Sequence, residues 1–166
     1  MNCKNCGAPL KLAQGGRYFY CEYCSTLCFL ETDAPDGVVV VGSLEKDVRC
    51  PLCDVDLVGA TVEGVSVSHC PRCRGVLADQ DSFLNIVKYR RARASGTPDR
   101  PRPLDQEDLQ RRIYCPNCGQ QMDTHPYYGP GNFVIDACVR CALLWLDCGE
   151  IDIMTNAPGR DRRGGM

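Results

Sequence analysis

The sequence has no long apolar run. The longest, Val38–Val41 and Ala142–Leu146, fall far short of the roughly 20 residues that a bilayer-spanning helix requires, so a transmembrane helix is not expected. No apolar stretch follows the opening Met1-Asn2-Cys3-Lys4-Asn5-Cys6. A secretory leader is therefore not expected, and a cytoplasmic location is. Aromatic residues make up only 7% of 166 residues, with a single tryptophan, which argues against one large core. Signatures of common enzymes are missing as well. The chain has no P-loop, no His-Glu-x-x-His and no nucleophile elbow, and no His-x-Glu beside a Cys-x-x-Cys as in zinc deaminases. Nor is there an excess of positive charge. The formal net charge is −2, unlike the strongly basic balance of a typical nucleic-acid binder.

What the chain does have is cysteine. It carries 14, about 8% of its residues, near the level that marks a cysteine-built scaffold. In a reducing compartment such cysteines are more often metal ligands or redox groups than disulfides. Twelve form Cys-x-x-Cys pairs, and the pairs group in twos: Cys3/Cys6 with Cys21/Cys24, Cys50/Cys53 with Cys70/Cys73, and Cys115/Cys118 with Cys138/Cys141. The separations of 14, 16 and 19 residues fit, within one residue, the spacing of a four-cysteine zinc site. Two residues between cysteines let a tight turn aim both sulfurs at one point, and two such turns close a tetrahedron of thiolates around zinc. The expected cofactor is Zn2+, three per chain. Twelve thiolates and three divalent ions together subtract six charges, taking the total from −2 to about −8.

The segments between the turns read as β-hairpins. Arg17-Tyr18-Phe19-Tyr20 follows a Gly15-Gly16 turn. Val58, Ala60 and Val62 alternate, Glu63-Gly64 turns the chain, and Val65 and Val67 alternate again. Gly129-Pro130-Gly131-Asn132 leads into Phe133-Val134-Ile135. Gly7 and Gly119 follow the second cysteine of a turn, where φ is expected to be positive, and Asp54 takes the equivalent place in the middle repeat. After the last cysteines, Asp79 and Asp147 align as helix N-caps, and Glu150 stands at capping-box spacing from Asp147. The second repeat then continues into a basic helix ending near Ser95-Gly96. The third continues into a short helix over Ile151–Met154. The first has Ser25-Thr26-Leu27-Cys28, which reads as a strand.

Cys115-Pro116-x-Cys118 followed by Cys138-x-x-Cys141-x-x-x-Trp145-Leu146-Asp147-x-x-Glu150-Ile151 resembles the transcription-factor-IIB type zinc-ribbon family of prokaryotic proteins. That family's hallmark is a Cys-x-x-Cys pair followed by Gly-x-Trp-Leu-Asp-x-x-Glu-Leu. Leu143 replaces the usual glycine in the third repeat. The second keeps Gly75 and Asp79 but has Leu77 for the tryptophan and Ser82 for the glutamate. The first is similar only to a generic short ribbon. The resemblance covers about two-thirds of the chain and implies zinc, a ribbon fold and, more distantly, transcription.

The expected architecture is a small metal-stabilised, β-rich protein of three tandem zinc ribbons, the second and third each followed by a short helix. Its divisions are ribbon one at 1–32, a linker with a strand over Val38–Val41 at 33–46, ribbon two with its basic helix at 47–94, a Pro/Arg-rich linker at 95–112, ribbon three with its helix at 113–158, and a disordered tail at 159–166 carrying Arg160, Arg162 and Arg163. Lobes this small usually need a metal to fold. Candidate partner-binding residues are Lys88, Arg90, Arg91 and Arg93 on the helix and His125, Tyr127 and Tyr128 in the Pro/Gly-rich hairpin loop. Cys28 and Cys148 fall outside the pairs and read as small buried hydrophobes or, alternatively, as redox thiols. Cys148 is the better redox candidate because it sits at a helix N-terminus. His69 reads as the edge of an apolar face rather than a fifth ligand, and Trp145 as a residue packed on its zinc turn. The expected function is non-enzymatic binding to a protein or, through the basic stretch, to nucleic acid. A redox-sensitive or metal-handling protein and a structural subunit of a larger assembly are the alternatives.

Overall fold

The computed structural model describes residues 3, 6–12, 19–25, 27–28, 37–95, 97–100 and 102–158. The Gly15-Gly16 turn, Arg17, Tyr18 and the tail from 159 lie outside these. Ribbon one is a small antiparallel sheet of β1 (Lys11–Leu12), β2 (Phe19–Tyr20) and β3 (Leu27–Cys28), in that order. The strand expected after Cys24 is therefore present.

Ribbons two and three form one sheet. Its strands are β4 (Val38–Arg49), β5 (Asp56–Val62), β6 (Val65–His69), β7 (Val76–Asp79), β8 (Asp123–Pro126), β9 (Val134–Cys138) and β10 (Leu143–Leu146), in the order β4-β5-β6-β7-β10-β9-β8. The hairpin read from Val58 to Val67 is β5–β6, turned at Glu63 and Gly64, both at positive φ. The stretch Val38–Val41 opens a twelve-residue edge strand against β5, with two register shifts along it. The seam between the repeats is β7 against β10, antiparallel, pairing Val76 with Leu146, Leu77 with Trp145 and Ala78 with Leu144.

Strand alternation gives this sheet two dry faces. On one, Val62, Val67, Val76, Ala78 and Leu146 pack under α1 (Gln80–Arg93) and α3 (Glu150–Asn156), which bury Phe83, Ile86, Ile151 and Met154. On the other, Leu57, Leu77, Ile113, Met122 and Trp145 pack with Cys50, Cys70, Cys115 and Cys138. Helices thus cover one face, and cysteine clusters two and three share the other.

Helix α1 starts where Asp79 caps it, accepting from the Ser82 backbone N–H at 2.9 Å. The cap of α3 differs from the sequence reading. Gly149 at φ 91° is its N-cap, one place before Glu150. Half of the capping box survives, because Glu150 accepts from the Asp147 N–H at 2.6 Å. The Asp147 carboxylate is engaged elsewhere, by the Trp145 indole N–H at 3.0 Å and by Arg111. The segment read as a linker contains a further helix, α2 (Gln106–Gln110), capped by Asp105.

Candidate metal centres

Each four-cysteine group is built by two knuckles. In all six, the residue after the second cysteine has positive φ: Gly7 (76°), Ser25 (57°), Asp54 (54°), Arg74 (64°), Gly119 (69°) and Ala142 (53°). Three of these were legible as Gly or Asp. The other three are residues that seldom adopt this region. The left-handed residue lets its N–H return to the carbonyl of the first cysteine, as in Gly7 to Cys3 (2.8 Å), Asp54 to Cys50 (3.0 Å) and Gly119 to Cys115 (2.8 Å). The first cysteine's own N–H bonds onward, Cys50 to Val55 and Cys115 to Gln120 at 2.8 Å each. These bonds hold the turn open on its sulfur side.

The twelve cysteines converge in three groups: Cys3, Cys6, Cys21, Cys24; Cys50, Cys53, Cys70, Cys73; and Cys115, Cys118, Cys138, Cys141. Within each, the four sulfurs lie within 4.8 Å of one another. Sulfurs of opposite knuckles stand 3.6 Å apart in Cys3/Cys24, Cys50/Cys73 and Cys118/Cys138 and 3.4 Å in Cys6/Cys21. A disulfide is about 2.05 Å long, so these are not bonded pairs. A tetrahedron with zinc–sulfur bonds of 2.3 Å has edges of about 3.8 Å, so the spacing fits zinc. These geometries support three Zn2+ sites, one per ribbon, each closed by four thiolates.

The surroundings tune the sulfurs unevenly. Burial pushes Cys50 up to about 11 and Cys115 up to about 12, while a backbone N–H at Gln120 holds Cys118 down to about 7. Zinc must therefore displace protons from the buried members. N–H donors reinforce the third site and the second, the Cys53 N–H to Cys50 Sγ at 3.3 Å among them. The Asn117 amide donates to Cys141 Sγ at 3.2 Å, and the Cys73 N–H donates to Cys70 Sγ at 3.4 Å. Such donors orient ligands and stabilise thiolate charge.

The candidate partner residues fall into two kinds. Arg90 is half-buried, bonded to Asp152 and, at 3.3 Å, to Thr155, with Glu63 3.7 Å away. Arg91 donates to the carbonyls of Met154 (2.8 Å) and Ala157 (3.2 Å), capping the end of α3. Arg93 pairs with Glu63. Only Lys88 of the four has no such bond described, and it is exposed. In the hairpin loop, Tyr127 is packed between Phe83 and Phe133 (ring centroids 5.5 and 4.9 Å), whereas Tyr128 is exposed and stacks on His125 at 5.1 Å. His69 is buried on β6 beside its site but is not one of the clustered ligands. Cys148 is exposed. The side chain of Cys28 lies outside the described residues.

Sequence reasoning missed a buried ionic cluster on the zinc face. Arg111, read as part of a basic linker, reaches Asp136 and Asp147, with Asp108 at 3.5 Å. Asp136 is fully buried and also accepts from Thr124. The signal was present: one carboxylate inside the apolar run Phe133-Val134-Ile135-Asp136-Ala137-Cys138 needs a buried partner.

No curated protein and no solved structure matches the chain. Residues 49–89 match the family model described as "Transcription factor zinc-finger", the transcription-factor-IIB type of zinc ribbon. The match falls on the repeat whose Leu77 and Ser82 depart from the hallmark, not on the one carrying Trp145-Leu146-Asp147. With its four sulfurs gathered and its hairpin and third strand in place, the middle repeat is similar to the transcription-factor-IIB type of zinc ribbon, and the cysteine clusters before and after it also fit zinc ribbons.

Proposed function

We propose that this zinc-binding protein is a non-enzymatic, cytoplasmic adaptor whose principal partner is another protein. The observation that carries this reading is the fate of four arginines of the basic stretch. Nucleic-acid binding needs cations free to neutralise phosphates. Here Arg90, Arg91, Arg93 and Arg111 are bonded to Asp152, α3 carbonyls, Glu63, Asp136 and Asp147 within the same chain. Four-thiolate closure favours a structural role for each zinc, since a catalytic zinc keeps a position for water or substrate. Large apolar side chains stand exposed at knuckle tips, as with Tyr23, Leu52 and Val139.

The test is a tagged pull-down from the native host, split into nuclease-treated and untreated halves. A stoichiometric protein partner that survives nuclease is the expected result. Co-purifying nucleic acid, with partners lost on nuclease treatment, would replace this reading with a transcription-linked one.

A further inference from the structure

Asp99, Arg100 and Arg102, the β8–β9 hairpin tip and the end of α3 line a groove of about 200 Å³. Its lining includes the apolar Pro130 and Ile153 together with Arg100, Arg102 and the single carboxylate of Asp99. Two hydrogen bonds tie its lining segments together. The Asp99 N–H donates to the Asn156 carbonyl at 2.8 Å, and the Asn132 amide donates to the Arg102 carbonyl at 3.0 Å. Those two bonds tie Asp99 to the end of α3 and Arg102 to the hairpin tip, and both arginines are exposed.

Arg100 and Arg102 contrast with the arginines of α1. Arg90, Arg91 and Arg93 are bonded to acids and carbonyls of the chain. No acidic partner of Arg100 or Arg102 is found among the described residues. The groove therefore combines two cations that have no acidic partner among the described residues with the apolar Pro130 and Ile153, a combination that complements a segment alternating acidic and apolar side chains. A phosphate backbone would use the cations but not Ile153 and Pro130.

Building on the adaptor reading, we infer that this groove is the docking site for an acidic, apolar-interleaved peptide segment of the partner protein. Carboxylates engage Arg100 and Arg102, and an apolar side chain rests on Ile153. Each exposed charge pair of this kind typically changes affinity about two- to fivefold, and reversing both charges compounds the loss with repulsion.

The test uses the full zinc-loaded chain and a fluorescein-labelled decapeptide alternating Asp and Leu, read by anisotropy. A decapeptide alternating Lys and Leu and a labelled 20-nucleotide single strand serve as comparisons. The expected result is saturable binding of the acidic peptide, weaker in high salt, reduced at least tenfold by Arg100→Glu with Arg102→Glu, and unchanged by Lys88→Glu. Both arginines are exposed, so zinc content and melting temperature of the double variant should match the parent. Binding that is indifferent to the double variant, or tighter binding of the nucleic acid, overturns the groove assignment. The nuclease-resistant pull-down separates the two proposals. A protein partner retained by the double variant sinks the groove alone, whereas no partner with the parent chain sinks the adaptor reading itself.

Discussion

Leu77 and Trp145 face each other directly across the seam between β7 and β10. Each stands four residues after the last cysteine of its own repeat, Cys73 or Cys141. A position paired with its own counterpart marks a local two-fold axis, here relating the second ribbon to the third within one chain. Neighbouring pairs obey the same relation: Val76 meets Leu146, and Ala78 meets Leu144. The buried pair lies in the cluster that contains Cys50, Cys70, Cys115 and Cys138, so the two metal centres are walls of one core.

That shared core predicts coupled metal loading. Cys21→Ser should remove one zinc, because ribbon one has its own sheet. Cys70→Ser or Cys138→Ser should remove about two, since losing the tetrahedron on one side exposes the core that supports the other. Elemental analysis after gel filtration counts them. Loss of a single zinc from all three variants would show that the seam does not transmit.

Gly75 is the floor on which Trp145 lies. A Cβ there would stand 2.2 Å from the indole Cζ2. Gly75→Ala should cost about 1–3 kcal/mol by overpacking, and Trp145→Ala about 3–5 kcal/mol by opening a cavity. In a Trp145→Leu background, Gly75→Ala should cost distinctly less. Chemical denaturation at saturating zinc measures all four corners of that cycle, and additivity would mean that the two residues do not touch.

Arg111→Met should destabilise by about 3–5 kcal/mol, because it strands the buried Asp136 carboxylate. Adding Asp136→Asn should recover part of that loss by removing the stranded charge. An equal or larger loss in the double variant would locate the role of Arg111 elsewhere.

Glu150 is buried, and burial followed by repulsion from Asp147 pushes its carboxyl up to about 8 from an ordinary 4.5. The folded state therefore holds this proton more tightly than the unfolded chain. The contribution is fully present below about pH 4.5 and is lost as pH rises through 8. Between pH 7 and 9 the loss should be about 1 kcal/mol. Glu150→Gln should flatten that slope while keeping an acceptor for the Asp147 N–H. A slope unchanged by the substitution would assign it to another group.

The zinc framework was legible because its information is local: cysteine spacing, glycine after the knuckle and period-two alternation. The Val58–Val67 hairpin, the Asp79 cap and the end of α1 follow from the same kind of signal. The seam was not legible. Val76–Asp79 and Leu143–Leu146 are short apolar leads into helices, and nothing within either indicates that its partner lies in the next repeat. The basic stretch misled for a related reason. Charges adjacent in sequence look like one exposed patch, yet Arg90 and Arg111 find their acids about 62 and 25 residues away, and only the fold brings those together.

The stretch that matches the family ends at residue 89, inside α1 and before the strand that covers β7. Excised there, it would keep four sulfurs but show an open strand edge, a bare Leu77 and a helix cut short of the arginines that grip α3. The stretch that matches the family is thus shorter than the stretch whose strand edge and helix are paired in the fold. Any fragment meant for isolated study should run through Pro158, and one that stops at the family boundary should self-associate through the edge that β10 normally occupies.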